Sequence, residues 1–343
     1  MRWYGQVVHT ANWDDKLKLA GKTVGIIGNG STGVQVITAI APEVGQLDVW
    51  SSSTAFGVPE TRRKTIEATP EERRQVFQEV WDQGNGFRFI FSAFGDLTTH
   101  LEANEEACNF IRSKIVEIVK DPRKAKALKP CDLYARRPLC DSGYYQTFNR
   151  ENVDIVDLRE TPIQEIVPEG IKTKDGTVHK LDVLIFATGF DAIEGNYLRI
   201  KITGRGGKSI QKHRENGPTG YAAVACSGFP NMFIVSGPQG GFANSPVVIE
   251  SEINFITECI LEPETKKKDD RVMEVTAEAE QQWNDLCDQL VEGSLFKTTA
   301  SWIFGANVEG RKSSTKFYFG GINKYREWVQ NEIDAGFPGF ASS

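Results

Sequence analysis

A glycine-rich loop, Gly28-Asn29-Gly30-Ser31-Thr32-Gly33, follows the short apolar run Lys22–Ile27 and opens a helix-like stretch to about Ile40. Gln46–Trp50 reads as the next strand. Strand, loop, helix and strand in that order form a βαβ unit, which commits this part of the chain to a parallel sheet flanked by helices. The three glycines have separate tasks in such a unit. The first makes the tight turn, the second lets backbone approach a pyrophosphate, and the third lets the helix pack closely on the strand. The start of the helix adds unpaired N–H groups and a partial positive charge. Gly28, Gly30, Ser31, Thr32, Gly33 and Gln35 are therefore candidate cofactor contacts. The alternative left open is a glycine loop retained only as scaffold.

At 343 residues the chain can bury two cores. Its 25% charged and 40% hydrophobic residues are ordinary for a globular protein. The net charge of −6 argues against nucleic acid or an anionic membrane as a main partner. No apolar run approaches the ~20 residues that span a bilayer, and the N-terminus lacks an apolar signal core. Cys108, Cys131, Cys140, Cys226, Cys259 and Cys287 show no C-x-x-C spacing, so neither a disulfide framework nor a zinc site is expected. A reducing, cytoplasmic setting follows as the expectation. His100, His179 and His213 have no metal-ligand spacing and no paired nucleophile, so no metal is expected.

Further elements follow from local signals. Thr69-Pro70-Glu71-Glu72 starts a helix that runs to about Gln83, where Gly84-Asn85-Gly86 stops it. Phe87–Phe94 is aromatic-rich; it reads as core packing, with a substrate-cavity lining as the alternative. Asn104–Lys120 is an amphipathic helix, and the basic run Arg123-Lys124-Ala125-Lys126 reads as a solvated loop. Gly170–Leu181 forms a hairpin around Asp175-Gly176 and leads into the buried strand Val183–Phe186 and the turn Ala187-Thr188-Gly189. Met232–Val235 looks strand-like before Gly237-Pro238-Gln239-Gly240-Gly241, and Glu250–Leu261 and Ala277–Leu290 look helical.

The N-terminal stretch Trp3-Tyr4-Gly5-Gln6-Val7-Val8-His9-Thr10-Ala11-Asn12-Trp13-Asp14 resembles the F-x-G-x-x-x-H-x-x-x-W-[P/D] fingerprint of Baeyer–Villiger monooxygenases, with Trp3 in the Phe position. Ala135-Arg136-Arg137-Pro138-Leu139-Cys140-Asp141-Ser142-Gly143-Tyr144-Tyr145 is similar to the cyclohexanone monooxygenase branch of that family. Phe148-Asn149-Arg150, Phe186–Asp191, Gly195-Asn196-Tyr197 and Ser301-Trp302-Ile303-Phe304-Gly305-Ala306-Asn307 extend the likeness along the chain.

The resemblance implies an FAD- and NADPH-dependent enzyme that converts a small-molecule ketone to an ester or lactone through a C4a-peroxyflavin. Arg137 would be the active-site arginine, its permanent charge suited to a peroxide anion and to the oxyanion of the ketone adduct. Arg136 would take the 2′-phosphate, Thr188 and Gly189 would lie at the cofactor, and Trp302 would close over it. Gly5, His9 and Trp13 would link the two dinucleotide domains. Phe242 and Ser245 match pocket-lining positions, with plain core packing as the alternative. The family usually carries Gln-Arg at Ser51-Ser52. Losing that guanidinium costs roughly 1.5–3 kcal/mol of phosphate binding, so NADP(H) binding is expected but weakened.

The fold class implied is α/β. It comprises a fingerprint linker over 1–20, a Rossmann-like NADP-binding domain over 21–185 with a helical insertion at about 69–130, and the C-terminal part of an incomplete FAD-binding domain over 186–343. Only 21 residues precede Lys22, too few for a further βαβ unit of roughly 30. FAD, expected by family, therefore lacks its ADP-binding unit here. Three readings stay open: a truncated monooxygenase not competent alone, a repurposed flavin-independent enzyme or binding protein using the old pocket, and a simple NAD(P)-dependent dehydrogenase. The faces left bare by the missing unit would call for a homodimer or a complementing chain.

Overall fold

The computed structural model describes residues 3–51, 63–84, 89–90, 93–137, 139, 143–265, 272–299, 301–305, 310 and 312–341. The chain divides into two units, Met1–Phe190 and Asp191–Ser343.

In the first unit, β1 (Gln6–His9), β2 (Thr23–Ile27), β3 (Gln46–Ser51), β4 (Val153–Asp157) and β8 (Val183–Phe186) form one parallel sheet in the order β1-β8-β2-β3-β4. Parallel strands covered on both faces need near-continuous apolar runs. Val24, Ile26, Leu47, Val49, Val153, Ile155, Val183, Leu184 and Ile185 supply them, all buried. Helix α1 (Ser31–Ile40) lays Val34, Ile37 and Ile40 against this sheet. A separate antiparallel sheet comprises β5 (Ile163–Val167), β6 (Gly170–Thr173) and β7 (Val178–Lys180), and the β6–β7 hairpin turns where the Asp175-Gly176 signal lies.

Helix α2 (Pro70–Asp82) begins with the expected box: Thr69 accepts from the Glu72 N–H and Glu72 reaches back to the Thr69 N–H. Phe89 and Phe94 are buried against Phe77, as core packing requires; Phe87 lies outside the described residues. Helix α3 (Leu101–Ile118) matches the amphipathic stretch. The basic run over 123–126 is not a solvated loop. It lies in α4 (Pro122–Leu128), because Asp121 caps the Arg123 and Lys124 N–H groups and Pro122 occupies the first turn. Lys124 Nζ then donates to the carbonyls of Phe148, Arg150 and Val153, tying the helix to the β4 end of the sheet. The short α5 (Tyr144–Thr147) follows Gly143.

The second unit has little sheet. After α6 (Gly195–Leu198) and α7 (Ile210–His213), its only ladder among the described residues is the parallel pair β9 (Gly240–Gly241) and β10 (Phe317–Tyr318), beyond isolated bridges. Helices α8 (Ser245–Thr265), α9 (Ala277–Val291) and α10 (Ile322–Asp334) enclose a core around Tyr221, Phe255, Trp283 and Tyr325. Met232–Val235 is not a strand. Its one ladder-like bond runs from Ile234 N–H to Val224 O (2.9 Å), and left-handed residues at Asn231 and Ser236 end the extended run on both sides. Among the described residues, no helix is long and apolar enough to cross a membrane.

Candidate functional site

The glycine loop sits at the carboxyl end of β2, where ligands bind in open parallel sheets. Each glycine answers to a specific neighbour. A Cβ on Gly28 would lie 2.4 Å from the Ala187 carbonyl oxygen, and one on Gly33 would lie 2.2 Å from the Gly28 oxygen. Gly30 meets nothing within 4 Å, so its face is open space at the start of α1. No side chain caps that helix start. A tight turn, a close helix and an uncapped N-terminus over empty space suit a pyrophosphate. Gln35 Nε2 reaches Ser31 Oγ at 3.5 Å on the same first turns.

β8 continues the sheet, and Ala187 N–H donates to Ile27 O at 2.8 Å, which brings the Ala187-Thr188-Gly189 turn beside the glycine loop. Gly189 has φ +94 and open space around it. The N-terminal fingerprint strand joins here, since β1 pairs with β8 from Gln6–Val183 to His9–Phe186. The fingerprint is thus the edge of this sheet, and the first unit runs past 185 to Phe190. Gly5 is needed at its start, because a Cβ there would lie 2.4 Å from both Asp182 O and the Trp3 ring. His9 Nδ1 accepts from the Ala11 N–H at 3.0 Å, which leaves Nε2 as the protonated nitrogen of the neutral ring. That Nε2 lies 3.4 Å from Thr188 Oγ1, and the ring meets Phe190 edge-on. His9 therefore ties the fingerprint to the Ala187-Thr188-Gly189 turn, while Trp13 is half-exposed after the short helix it ends.

The arginine block is held from α3. Asn104, fully buried, donates to Leu97 O and Tyr134 O and accepts the Tyr134 N–H at 2.7 Å. This clamp precedes Ala135-Arg136-Arg137 directly. On the other side Gly143, at φ +124, lies against Thr38 of α1. Pro138, Cys140, Asp141 and Ser142 lie outside the described residues, as does Ser52. Arg137 is half-buried. Arg136 is nearly buried and already paired: its Nη2 lies 3.1 Å from Asp132 Oδ2, while its Nε is buried without a partner. Asn104 and Asp132 escaped the reading of the sequence. The only signal was an Asn on the apolar face of an amphipathic helix and an acid four residues before Arg136.

The second unit brings Phe242 and Trp302 to one aromatic cluster. Trp302 opens a single 3₁₀ turn that Ser301 Oγ caps at its start and Gly305, at φ +82, ends. Its ring meets Phe317 edge-on at 5.7 Å, and Phe317 meets Phe242 at 5.2 Å. Phe242 also stacks on Phe319 at 4.8 Å. Ser245 is exposed as the first residue of α8, and Ala306 and Asn307 lie outside the described residues.

His213 has a partner that spacing did not reveal. Its Nε2 lies 2.8 Å from Glu280 Oε1, and Cys226 Sγ is close enough for the three ligand atoms to fall within 4.8 Å of one another. Glu280 also accepts from Thr219 Oγ1 and the Ser227 N–H, and Arg214 Nη2 points at Cys226 Sγ. The His213 Nδ1 has no partner of the kind that orients metal-bound imidazoles. These contacts describe a hydrogen-bond network centred on the Glu280 carboxylate. They hold the Glu280 carboxyl down at about 2 despite its burial, which by itself raises it.

The parallel sheet, the glycine loop and the uncapped helix give an α/β protein with the architecture of a dinucleotide-binding unit. No protein-family model matches the chain. It is 43% identical to a cyclohexanone 1,2-monooxygenase of Acinetobacter sp., a match covering 98% of this chain and 68% of that protein. A phenazine N-monooxygenase of Lysobacter antibioticus is 42% identical over 99% of this chain and 69% of its own length. The crystal structure of cyclohexanone monooxygenase from Rhodococcus sp. Phi1 bound to NADP+ superimposes with a TM-score of 0.93 at 43% identity, over 99% of this chain and 70% of that one. The chain belongs to the Baeyer–Villiger monooxygenase family. The Acinetobacter match runs over 371 aligned positions, more than the 343 residues present here, so that relative carries residues inside the matched stretch that this chain lacks.

Proposed function

We propose that this chain provides the NADP(H) site and the catalytic arginine of a ketone-oxidising Baeyer–Villiger monooxygenase. The observation that carries the reading is that the glycine loop, the Ala187 turn and the arginine block all pack on or beside helix α1. The Gly28–Gly33 loop abuts Ala187, and Gly143, which closes the arginine block, abuts Thr38 of the same α1 helix. Gly28, Gly30 and Gly33, with Ser31, Thr32 and Gln35, would hold the pyrophosphate at the start of α1. Arg136 would hold the 2′-phosphate while sharing its charge with Asp132. With serine at 52, where the family usually carries Arg, that site would bind NADP(H) more weakly than a pair of free guanidinium groups.

Arg137 would place a permanent positive charge where an oxyanion develops on the substrate carbonyl. FAD supplies the electrons that activate dioxygen in this family. We assign the one glycine-rich loop that opens a helix from the parallel sheet, among the described residues, to NADP(H). No residues of this chain are assigned to the FAD pyrophosphate, and no step is routed through FAD.

The test is an absorption spectrum of the purified chain with FAD, then with NADPH, followed by lactone analysis on cyclohexanone. A bound flavin that bleaches with NADPH and recovers in air, with lactone formed by the wild type and none by Arg137→Ala, supports the reading. Lactone formation that survives Arg137→Ala overturns the arginine's role. The Ser51-Ser52 pair, in place of the family's Gln-Arg, favours one second reading, a flavin-independent enzyme or binding protein. A colourless chain that ignores FAD would support it.

A further inference from the structure

Buried acids in this protein have evident partners. Glu280 has His213, Thr219 and Ser227; Glu194 has Lys316 at 3.1 Å; Asp96 takes the Thr65 N–H and hydroxyl. Glu252 on α8 is the exception. It is fully buried, at 0% exposure, and its Oε2 accepts only the Ser236 N–H, at 2.7 Å. Its Oε1 has no hydrogen-bond partner. That bare oxygen faces the Gly240 backbone, where a Cβ would lie 2.8 Å from it.

The turn it supports is held under strain. Ser236 and Gln239 are left-handed at φ 56° and 65°, a conformation that costs an L-residue roughly 1–2 kcal/mol. Three bonds to other elements keep it there: Gln239 N–H to Lys316 O (2.7 Å), Trp283 Nε1 to Gln239 O (3.3 Å) and Phe242 N–H to Tyr318 O (2.9 Å). A carboxylate offers about four acceptor positions, and an ionised one buried with a single donor is poorly solvated. Burial pushes the Glu252 carboxyl up to about 7, with only the Ser236 N–H drawing it down. The titratable neighbours are the phenols of Tyr325 on α10 and Tyr197 on α6, both pushed up by burial and therefore neutral. The bases on the adjoining elements are engaged elsewhere, Lys316 with Glu194 and Arg326 with Ser251 Oγ at 3.0 Å. Among the described residues, no cation is hydrogen-bonded or paired to Glu252.

We propose that Glu252 is a proton-operated latch for the Gly237–Gly241 turn. With the carboxyl neutral, the turn closes on α8; with it ionised, the unpaired oxygen draws in solvent and the turn loosens. Phe242, the residue after the turn, then shifts with it. This inference rests on the second unit alone and stands whether or not the monooxygenase reading holds.

The experiment is hydrogen exchange by mass spectrometry on the full chain. Peptides covering Ser236–Phe242 are compared at about pH 6 and about pH 8.5, after correction for intrinsic exchange. The expected result is a roughly tenfold loss of protection at the higher pH in the wild type, absent in Glu252→Gln, with β2 and β3 peptides unchanged. Equal protection at both pH values in the wild type overturns the latch, and so does the same loss in Glu252→Gln. If that variant does not fold, the wild-type comparison decides alone.

Discussion

The two units enter the left-handed region of backbone space by different means. In Met1–Phe190 every described residue with positive φ is a glycine: Gly21, Gly28, Gly84, Gly143, Gly176 and Gly189. In Asp191–Ser343, Ile193, Ala222, Ala223, Asn231, Ser236, Gln239 and Phe337 sit there as well. Glycine makes such a turn cheaply wherever it stands, so the first unit writes its turns into local sequence. The side-chain-bearing residues of the second unit are held by distant contacts. Tyr325 Oη donates to Ala222 O, Asn231 N–H donates to Met273 O, and Glu252 accepts the Ser236 N–H. The first unit is a scaffold whose geometry is local; the second stores strain that its core sustains.

The sharpest way to break the contrast is Gly28→Ala. Gly28 has φ +104, and the new Cβ would lie 2.4 Å from a backbone oxygen of the adjoining β8 segment. We expect a loss of about 4 kcal/mol or more in denaturant unfolding, together with loss of NADP+ binding. A loss below about 1 kcal/mol would show that the first unit tolerates strain as the second does.

The next effect concerns pH. Glu252 has a folded pKa of about 7, above its unfolded value. The folded state therefore binds the extra proton between those values. Stability from this group is fully present below the unfolded pKa and is lost as pH rises toward and through about 7. Glu252→Gln should be more stable than wild type at pH 8 by up to about 3 kcal/mol, with the advantage fading near pH 4.5. Thermal melts at the two pH values give the comparison; a pH-independent difference would contradict it.

The smallest effect is expected at Ala223, φ 66°, whose carbonyl oxygen would be 2.0 Å from a Cβ on Gly237. Ala223→Gly removes left-handed strain but adds unfolded-chain entropy, so the net change should be within about 0.5 kcal/mol. A clear destabilisation would mean that the methyl packs more than it strains.

The two units also differ in how far sequence exposes them. The βαβ unit, the Thr69 capping box, the Asp175-Gly176 hairpin, the helix from Ala277 and the Glu250–Leu261 part of α8 were legible, because each shows a local pattern of period, glycine or cap; the start of α8 at Ser245 was not. The helix over 122–128 was missed because four basic or small residues carry no apolar period; its cap at Asp121 was the signal that counted. Met232–Val235 looked like a strand because its residues are apolar, yet among the described residues no strand extends a ladder to it. In the candidate site, the glycines and Arg137 could be named from motifs. The Asn104 clamp and the Asp132 partner of Arg136 could not, since they depend on how α3 and the 132–137 segment come together.

Sequence by itself determined the parallel-sheet class, the dinucleotide loop and the family likeness, because hydrophobic period, glycine spacing and capping act over short stretches of chain. Tertiary structure alone decided that β1 closes the sheet beside β8, that Arg136 is already paired, and that Glu252 is buried with one oxygen bare. The reason is physical: charge, burial and hydrogen-bond satisfaction are properties of neighbours in space, and in this protein those neighbours lie far apart along the chain.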